Sequence, residues 1–142
     1  MNEIERLQNN LDVIRKVGGW SCEKFGEFLG LSKQSICNLE HKTVKMSKAQ
    51  YIAIRAILDY EIEKNDALFA AMGIFLESKD IPDGTIKKAR TFFNGLTKDE
   101  IKNFGYIIEG LSPLVGSIEL QRIVFGTVES SWMDRIMRGE KK

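Results

Sequence analysis

Between Ser21 and Glu40 the chain carries two short helical stretches separated only by Gly30-Leu31-Ser32, and no other feature restricts its folding as tightly. A connection that short brings two helices together at a steep angle. Gly30 offers a position free to take positive φ, Leu31 an apolar plug for the turn, and Ser32 an N-cap for the segment that follows. Gly26, one turn earlier, is the small residue needed where the two helices touch, kept at a cost in helix propensity of up to about 1 kcal/mol against Ala. In the first stretch Ser21 is the cap, Phe25, Phe28 and Leu29 point one way, and Glu23, Lys24 and Glu27 stay in water. In the second, only Ile36 and Leu39 are large and apolar, which predicts a narrow inward edge and a broad polar outer face.

The flanks predict more helix. Ile4, Leu7, Leu11, Ile14 and Val17 recur at intervals of three and four, one stripe of a helix that Gly18-Gly19 ends. After the loop from His41 to Met46, Ser47-Lys48-Ala49-Gln50 fits an S-x-x-Q capping box opening a helix with Tyr51, Ile54, Ile57 and Leu58. Residues 3–60 therefore predict four short helices. The acid-rich run Glu61-Ile62-Glu63-Lys64-Asn65-Asp66 places a boundary between residues 1–64 and 65–142.

Beyond it, Leu68, Met72, Phe75 and Leu76 predict a helix over 66–79, and Ile81-Pro82-Asp83-Gly84 predicts a turn. Ile86, Ala89, Phe93 and Leu96 form the next stripe. Thr97-Lys98-Asp99-Glu100 is a T-x-x-E capping box for a helix through Ile101, Phe104, Ile108 and Leu111, which Ser112-Pro113 closes. Over 114–138, Leu120, Val124 and Val128 fit a helix while Arg122-Ile123-Val124-Phe125 also suits a strand, and helix is favoured. The expected fold class is all-α, a four- to five-helix N-terminal unit followed by a smaller helical C-terminal module.

The run from Ser21 to Glu40 has the length and punctuation of a helix-turn-helix. Its ordered companions are Leu11-Asp12-Val13-Ile14-Arg15-Lys16, Trp20-Ser21, Phe25-Gly26 and Leu29-Gly30-Leu31-Ser32-Lys33-Gln34-Ser35-Ile36-Cys37-Asn38-Leu39-Glu40. With them, residues 8–60 resemble the Xre/Cro-type family of phage and bacterial repressors. The resemblance implies a helical DNA-binding domain, usually dimeric, whose third helix enters the major groove. By that carry-over Lys33, Gln34, Ser35 and Asn38 are the recognition-helix positions that meet bases or phosphates. Ser21 and Cys22 open the preceding helix, whose amides can hold a phosphate. Cys22 stands where many relatives have Gln, Gly26 where Ala is common, and His41-Lys42 where Asn-Gly often follows the recognition helix.

Charge points the same way without reference to any family. From Ser32 to Arg55, Lys33, Lys42, Lys45, Lys48 and Arg55 stand against Glu40 alone, +4 within a chain whose total is +1. So small a total excludes nucleic-acid coating by bulk charge and leaves a local patch. Lys42 and Lys45 are expected at phosphates, which supply most non-specific affinity, with His41 beside them either a further phosphate contact or a surface residue only, whereas Gln34 and Asn38 share a helix face and can each pair with adenine. The expected function is a sequence-specific transcriptional regulator, a dimeric repressor reading a two-fold operator through residues 32–40.

No membrane span is expected, because runs such as Ala70 to Leu76 fall far short of roughly 20 apolar residues. The acidic N-terminus lacks secretory-signal character, so a cytoplasmic location is expected. Cys22 and Cys37 are expected reduced, and with His41 alone they lack the companions of a zinc site. No phosphate loop or nucleophile–base pair is apparent, so neither an enzyme nor a cofactor is expected. Residues 65–142 carry Phe69, Phe75, Phe92, Phe93, Phe104, Tyr106, Phe125 and Trp132 in neutral surroundings, which suits dimerisation. The alternative is a mobile-element protein whose C-terminal module binds and inhibits a partner protein while the N-terminal domain represses its own gene. Trp20 is expected to staple the first two helices, and Trp132, Met133, Ile136 and Met137 to form core or interface.

Overall fold

The computed structural model describes residues 2–78, 80–125 and 131–139, and over these the chain is all-α with no strand. Helix α1 (Glu3–Gly18) is capped by Asn2, whose side chain accepts from Glu5 N, and Gly19 follows it. Its buried side includes Leu7, Leu11, Ile14 and Val17, the stripe its spacing predicts. Helices α2 (Cys22–Leu29), α3 (Lys33–Glu40) and α4 (Lys48–Glu61) come next. Each is opened by a serine: Ser21 accepts from Lys24 N, Ser32 from Ser35 N and Ser47 from Gln50 N, the last with its reciprocal Gln50 bond. A side-chain cap of this kind is worth about 1 kcal/mol, enough to fix where helices as short as these begin.

Two glycines set the angle between α2 and α3. Gly30, at φ 70, takes the left-handed conformation that ends α2. A Cβ added at Gly26 would stand 2.5 Å from Leu31 O, so α2 and the turn approach to a distance that only glycine permits. Trp20 lies over Gly18 and stacks on Phe25 at 5.6 Å. Phe28 departs from the inward side expected for it. It is 40% exposed, edge-on to Trp20, with Lys24 Nζ 5.4 Å from its ring centroid.

The second part departs from its sequence pattern in three places. Helix α5 (Asp66–Met72) runs into a π turn, Gly73–Glu77, rather than on as α-helix toward residue 79. Pro82, with φ −59 and ψ 148, immediately precedes α6 (Asp83–Asn94), so Asp83 and Gly84 form its first turn instead of belonging to a tight turn. An acid is favourable there because it meets the unpaired amides at the helix start. The helix expected from Thr97 breaks in two. Helix α7 (Lys98–Lys102) stops at Asn103, whose backbone extends to ψ 94 and whose side chain caps α8 (Phe104–Leu111) by accepting from Tyr106 N. Helix α9 (Ser117–Phe125) makes Arg122-Ile123-Val124-Phe125 helical, and α10 (Trp132–Arg138) ends the described chain. Lys79, residues 126–130 with Val128 of the expected stripe, the Phe125 side chain and the tail Lys141-Lys142 lie outside the described residues.

Buried side chains from residues 1–64 and from residues 65–142 join in one cluster, so the acidic run near residue 64 marks a change of texture and not a gap in packing. Helix α1 is the shared wall. It packs on α3 and α4 of the first part and on α5, the π turn and α6 of the second. Fully burying a side chain such as Leu11 or Ile14 contributes about 1.5–3 kcal/mol.

Helix α10 is fastened through charge. Arg55 on α4 is only 1% exposed and reaches Glu77 Oε1 with Nη2 at 2.6 Å and the Tyr51 hydroxyl with Nη1 at 3.1 Å. The Trp132 ring covers the Arg55 guanidinium at 5.1 Å, and its Nε1 donates to Asp59 Oδ2 at 2.5 Å. Arg135 bonds Glu3 at 2.7 Å and Glu77 at 3.4 Å. Of the expected C-terminal cluster, Trp132 is therefore core while Met133 and Met137 are exposed. No helix among the described residues is long and apolar enough to cross a membrane.

Candidate nucleic-acid interface

Ile36 and Leu39 bury the inner edge of α3, and its other residues face outward or lie half-covered. Lys33 and Gln34 are exposed, and Gln34 Nε2 donates to Asn38 Oδ1 at 3.0 Å, which joins the two amides into one surface. Thr43 steadies that surface from the following loop, its hydroxyl donating to Asn38 O at 3.0 Å. Ser35 is turned toward the cap, its hydroxyl 3.0 Å from Ser32 Oγ. Lys33, Gln34 and Asn38 thus share the outer face, with Ser35 at its edge.

Two side chains of α1 hold this element in place. Arg15 pairs with Glu40 at the last turn of α3, Nε to Oε2 at 2.5 Å, and also donates from Nη1 to Trp20 O at 2.8 Å. Gln8 is buried and pins the chain after α3. Its Nε2 donates to Leu39 O at 3.0 Å and Val44 O at 2.7 Å, and its Oε1 accepts from Met46 N at 2.9 Å. The sequence carried a signal for Gln8, an amide beside the apolar stripe of a helix, because a buried amide persists only where its hydrogen bonds are made. Arg15 carried none, since its partner is 25 residues away.

The loop after α3 exposes His41, Lys42 and Lys45, and Lys48 opens α4 beside them. Lys42 lies at φ 61, left-handed backbone that a side chain adopts at a cost of about 1–2 kcal/mol. The loop therefore keeps a turn that would suit glycine while placing an ammonium at its apex. The cation count changes with the geometry. Arg55, one of the five cations in the sequence count, is buried on Glu77 and leaves this face, and Glu40 is neutralised by Arg15. Lys33, Lys42, Lys45 and Lys48 remain exposed, with no ion-pair partner among the described residues and no exposed acid between Ser32 and Arg55.

At the start of α2, Ser21 is exposed, but the Cys22 side chain turns inward. Its thiol donates to Glu40 Oε1 at 3.9 Å and neighbours Cys37. Burial first, and then the Glu40 carboxylate, push the Cys22 thiol up from its ordinary value. The thiol is half-buried, and the backbone amide at this position is the group suited to an outside anion. Among the described residues no three His, Cys, Asp or Glu side chains gather where a metal ion would fit.

No protein-family model, no curated protein and no solved structure matches this chain. The interface stands on its own geometry: a polar helix whose one acid, Glu40, is paired with Arg15, two amides hydrogen-bonded to each other, and a cationic loop pinned by α1.

Proposed function

We propose that the chain is a sequence-specific regulator of transcription that binds duplex DNA, reading base edges with α3 and holding phosphates with the loop from His41 to Lys45. The observation that carries this is the Gln34–Asn38 pair on an outward face flanked by Lys33, Lys42 and Lys45, none of which has an ion-pair partner among the described residues. Gln and Asn can make two hydrogen bonds to adenine, and lysines without counter-charges release condensed cations from the duplex when they bind. In this proposal the regulator acts as a homodimeric repressor, because one recognition helix covers few base pairs and two copies double the site. Exposed Ile118, on the far part of the chain, suits such a contact between copies.

Selection of bound fragments from a random duplex pool tests the proposal, with a two-fold motif as the expected result. On that motif Gln34→Ala and Asn38→Ala should each lose about 1–3 kcal/mol and relax preference, whereas Lys45→Ala should weaken all sequences alike and flatten the salt dependence. Failure to retain any duplex at modest ionic strength, or equal losses on selected and random DNA for all three variants, overturns it.

A further inference from the structure

An open groove of about 750 Å³ lies between α1 and α6, with Lys42 of the post-α3 loop on its rim. Two of its six charged residues are in ion pairs. Arg90 is held by Asp12 at 2.6 Å and by Asn9 O at 3.0 Å, and Glu3 is held by Arg135. Arg6 caps the π turn, donating to Phe75 O at 2.8 Å and Ser78 O at 2.7 Å, and the carboxylates of Glu77, Asp83 and Glu3 act on its charge without a direct ion pair. Lys42 and Lys87 are exposed and have no ion-pair partner among the described residues, and Asp83 is the one lining acid outside an ion pair. With paired charges taken as neutral, Arg6, Lys42 and Lys87 against Asp83 leave the groove at +2.

Lys42 connects this groove to the candidate interface, since the same ammonium lies on the loop that follows α3 and on the groove rim. A duplex whose major groove receives α3 has its phosphate backbone at that loop, and α6 is the next wall beyond it. We infer that the groove is a second phosphodiester site, in which Lys87 and Lys42 grip the DNA backbone as it leaves α3, so that residues 65–142 contribute directly to DNA binding. The inference rests on the DNA-binding proposal above. The ligand chemistry is a phosphate mono-anion, and its source is the duplex backbone.

The test compares full-length Lys87→Ala, Lys88→Ala and Lys45→Ala by titration of a selected duplex and a random duplex over a range of salt. Lys88 is the control: it is exposed on the same helix and does not line the groove. Lys87→Ala should weaken both duplexes about threefold to tenfold at low salt and reduce the salt slope by about one phosphate, as Lys45→Ala does, while Lys88→Ala leaves both unchanged. A Lys87→Ala protein that binds like wild type while Lys45→Ala is impaired overturns the groove and leaves the DNA proposal standing. Equal losses for Lys87→Ala and Lys88→Ala reduce the effect to general charge and also overturn it. A parallel titration with inorganic phosphate follows the Asn9 and Lys87 amides by NMR. Shifts there, combined with wild-type duplex binding by Lys87→Ala, assign the groove to a free anion and overturn the backbone assignment. If the wild-type protein binds no duplex, the DNA proposal itself fails.

Discussion

Arg15 on the first helix grips Glu40 at the end of α3 through two nitrogens, Nε at 2.5 Å and Nη2 at 3.2 Å. The carboxylate is 8% exposed and the guanidinium side chain 20%, so water screens the pair weakly. Glu40→Gln keeps the shape and removes the charge, leaving Arg15 without its counter-ion. The expected loss is about 1–3 kcal/mol, measured by denaturant titration. The same change takes an acid away from the Cys22 thiol, so alkylation of Cys22 by iodoacetamide should quicken at fixed pH.

Gly26→Ala ought to stabilise an ordinary exposed helix by up to about 1 kcal/mol. Here the added Cβ meets Leu31 O at 2.5 Å and Ser32 O at 3.3 Å, backbone atoms that cannot swing aside as a flexible side chain would. We expect net destabilisation, together with weaker DNA binding as α3 shifts. A melting temperature equal to or above wild type would show that the turn can yield.

Lys42 offers a case in which stability and binding should move apart. Lys42→Gly relieves the left-handed backbone at φ 61 and should raise stability by about 1 kcal/mol. It also deletes a phosphate contact, so affinity for every duplex should fall. Parallel thermal melts and binding isotherms check both signs.

Glu77 serves two buried guanidiniums, Arg55 at 2.6 Å and Arg135 at 3.4 Å, and Arg55 Nε already lacks a hydrogen-bond partner. Removing one partner from so buried a set strands charge in the core, and Glu77→Gln is expected to cost about 3–5 kcal/mol. The matching Glu119→Gln breaks the Arg122 pair, in which the guanidinium is well exposed, and should change stability by less than about 1 kcal/mol. Chemical denaturation of the two variants side by side measures the contrast.

Tyr51 gives a pH signature. Burial pushes its hydroxyl up, against the pull of the Arg55 guanidinium. A group whose folded value exceeds its unfolded value, about 10 for Tyr, keeps its full contribution below the unfolded value and loses it as pH rises through the folded one. Stability should therefore fall above about pH 10 more steeply in wild type than in Tyr51→Phe, with Tyr51→Phe the less stable of the two at neutral pH because the Arg55 hydrogen bond is gone.

Helix starts were legible in the chain because capping is a bond between residues three apart. Ser21, Ser32, Ser47 and Thr97 each accept from the amide their spacing predicts. Asn103 carried the same local signal, ahead of Tyr106, but the apolar stripe running through Ile101 and Phe104 hid the break. Asp83 and Gly84 look like turn residues, yet once Pro82 is extended an acid and a small residue suit the first turn of α6. What the chain could not reveal was non-local. Arg55 counts as surface charge until Glu77, 22 residues later, is seen to bury it, and Cys22 looks outward until Glu40 comes round to meet its thiol. The outward set of Lys33, Gln34, Asn38, Lys42 and Lys45 was legible because α3 has so few apolar residues that its inner edge is unambiguous.

Helix α1 has neighbours from both parts of the chain, and that arrangement governs which changes the molecule will tolerate. Replacements along its buried side must between them suit both sets of partners, so compensating repairs are scarce there and plentiful on the solvent-facing shoulder around Glu5. Sequence drift across descendants should accordingly be slowest along this one rod, even though it supplies no group to the outer face of α3.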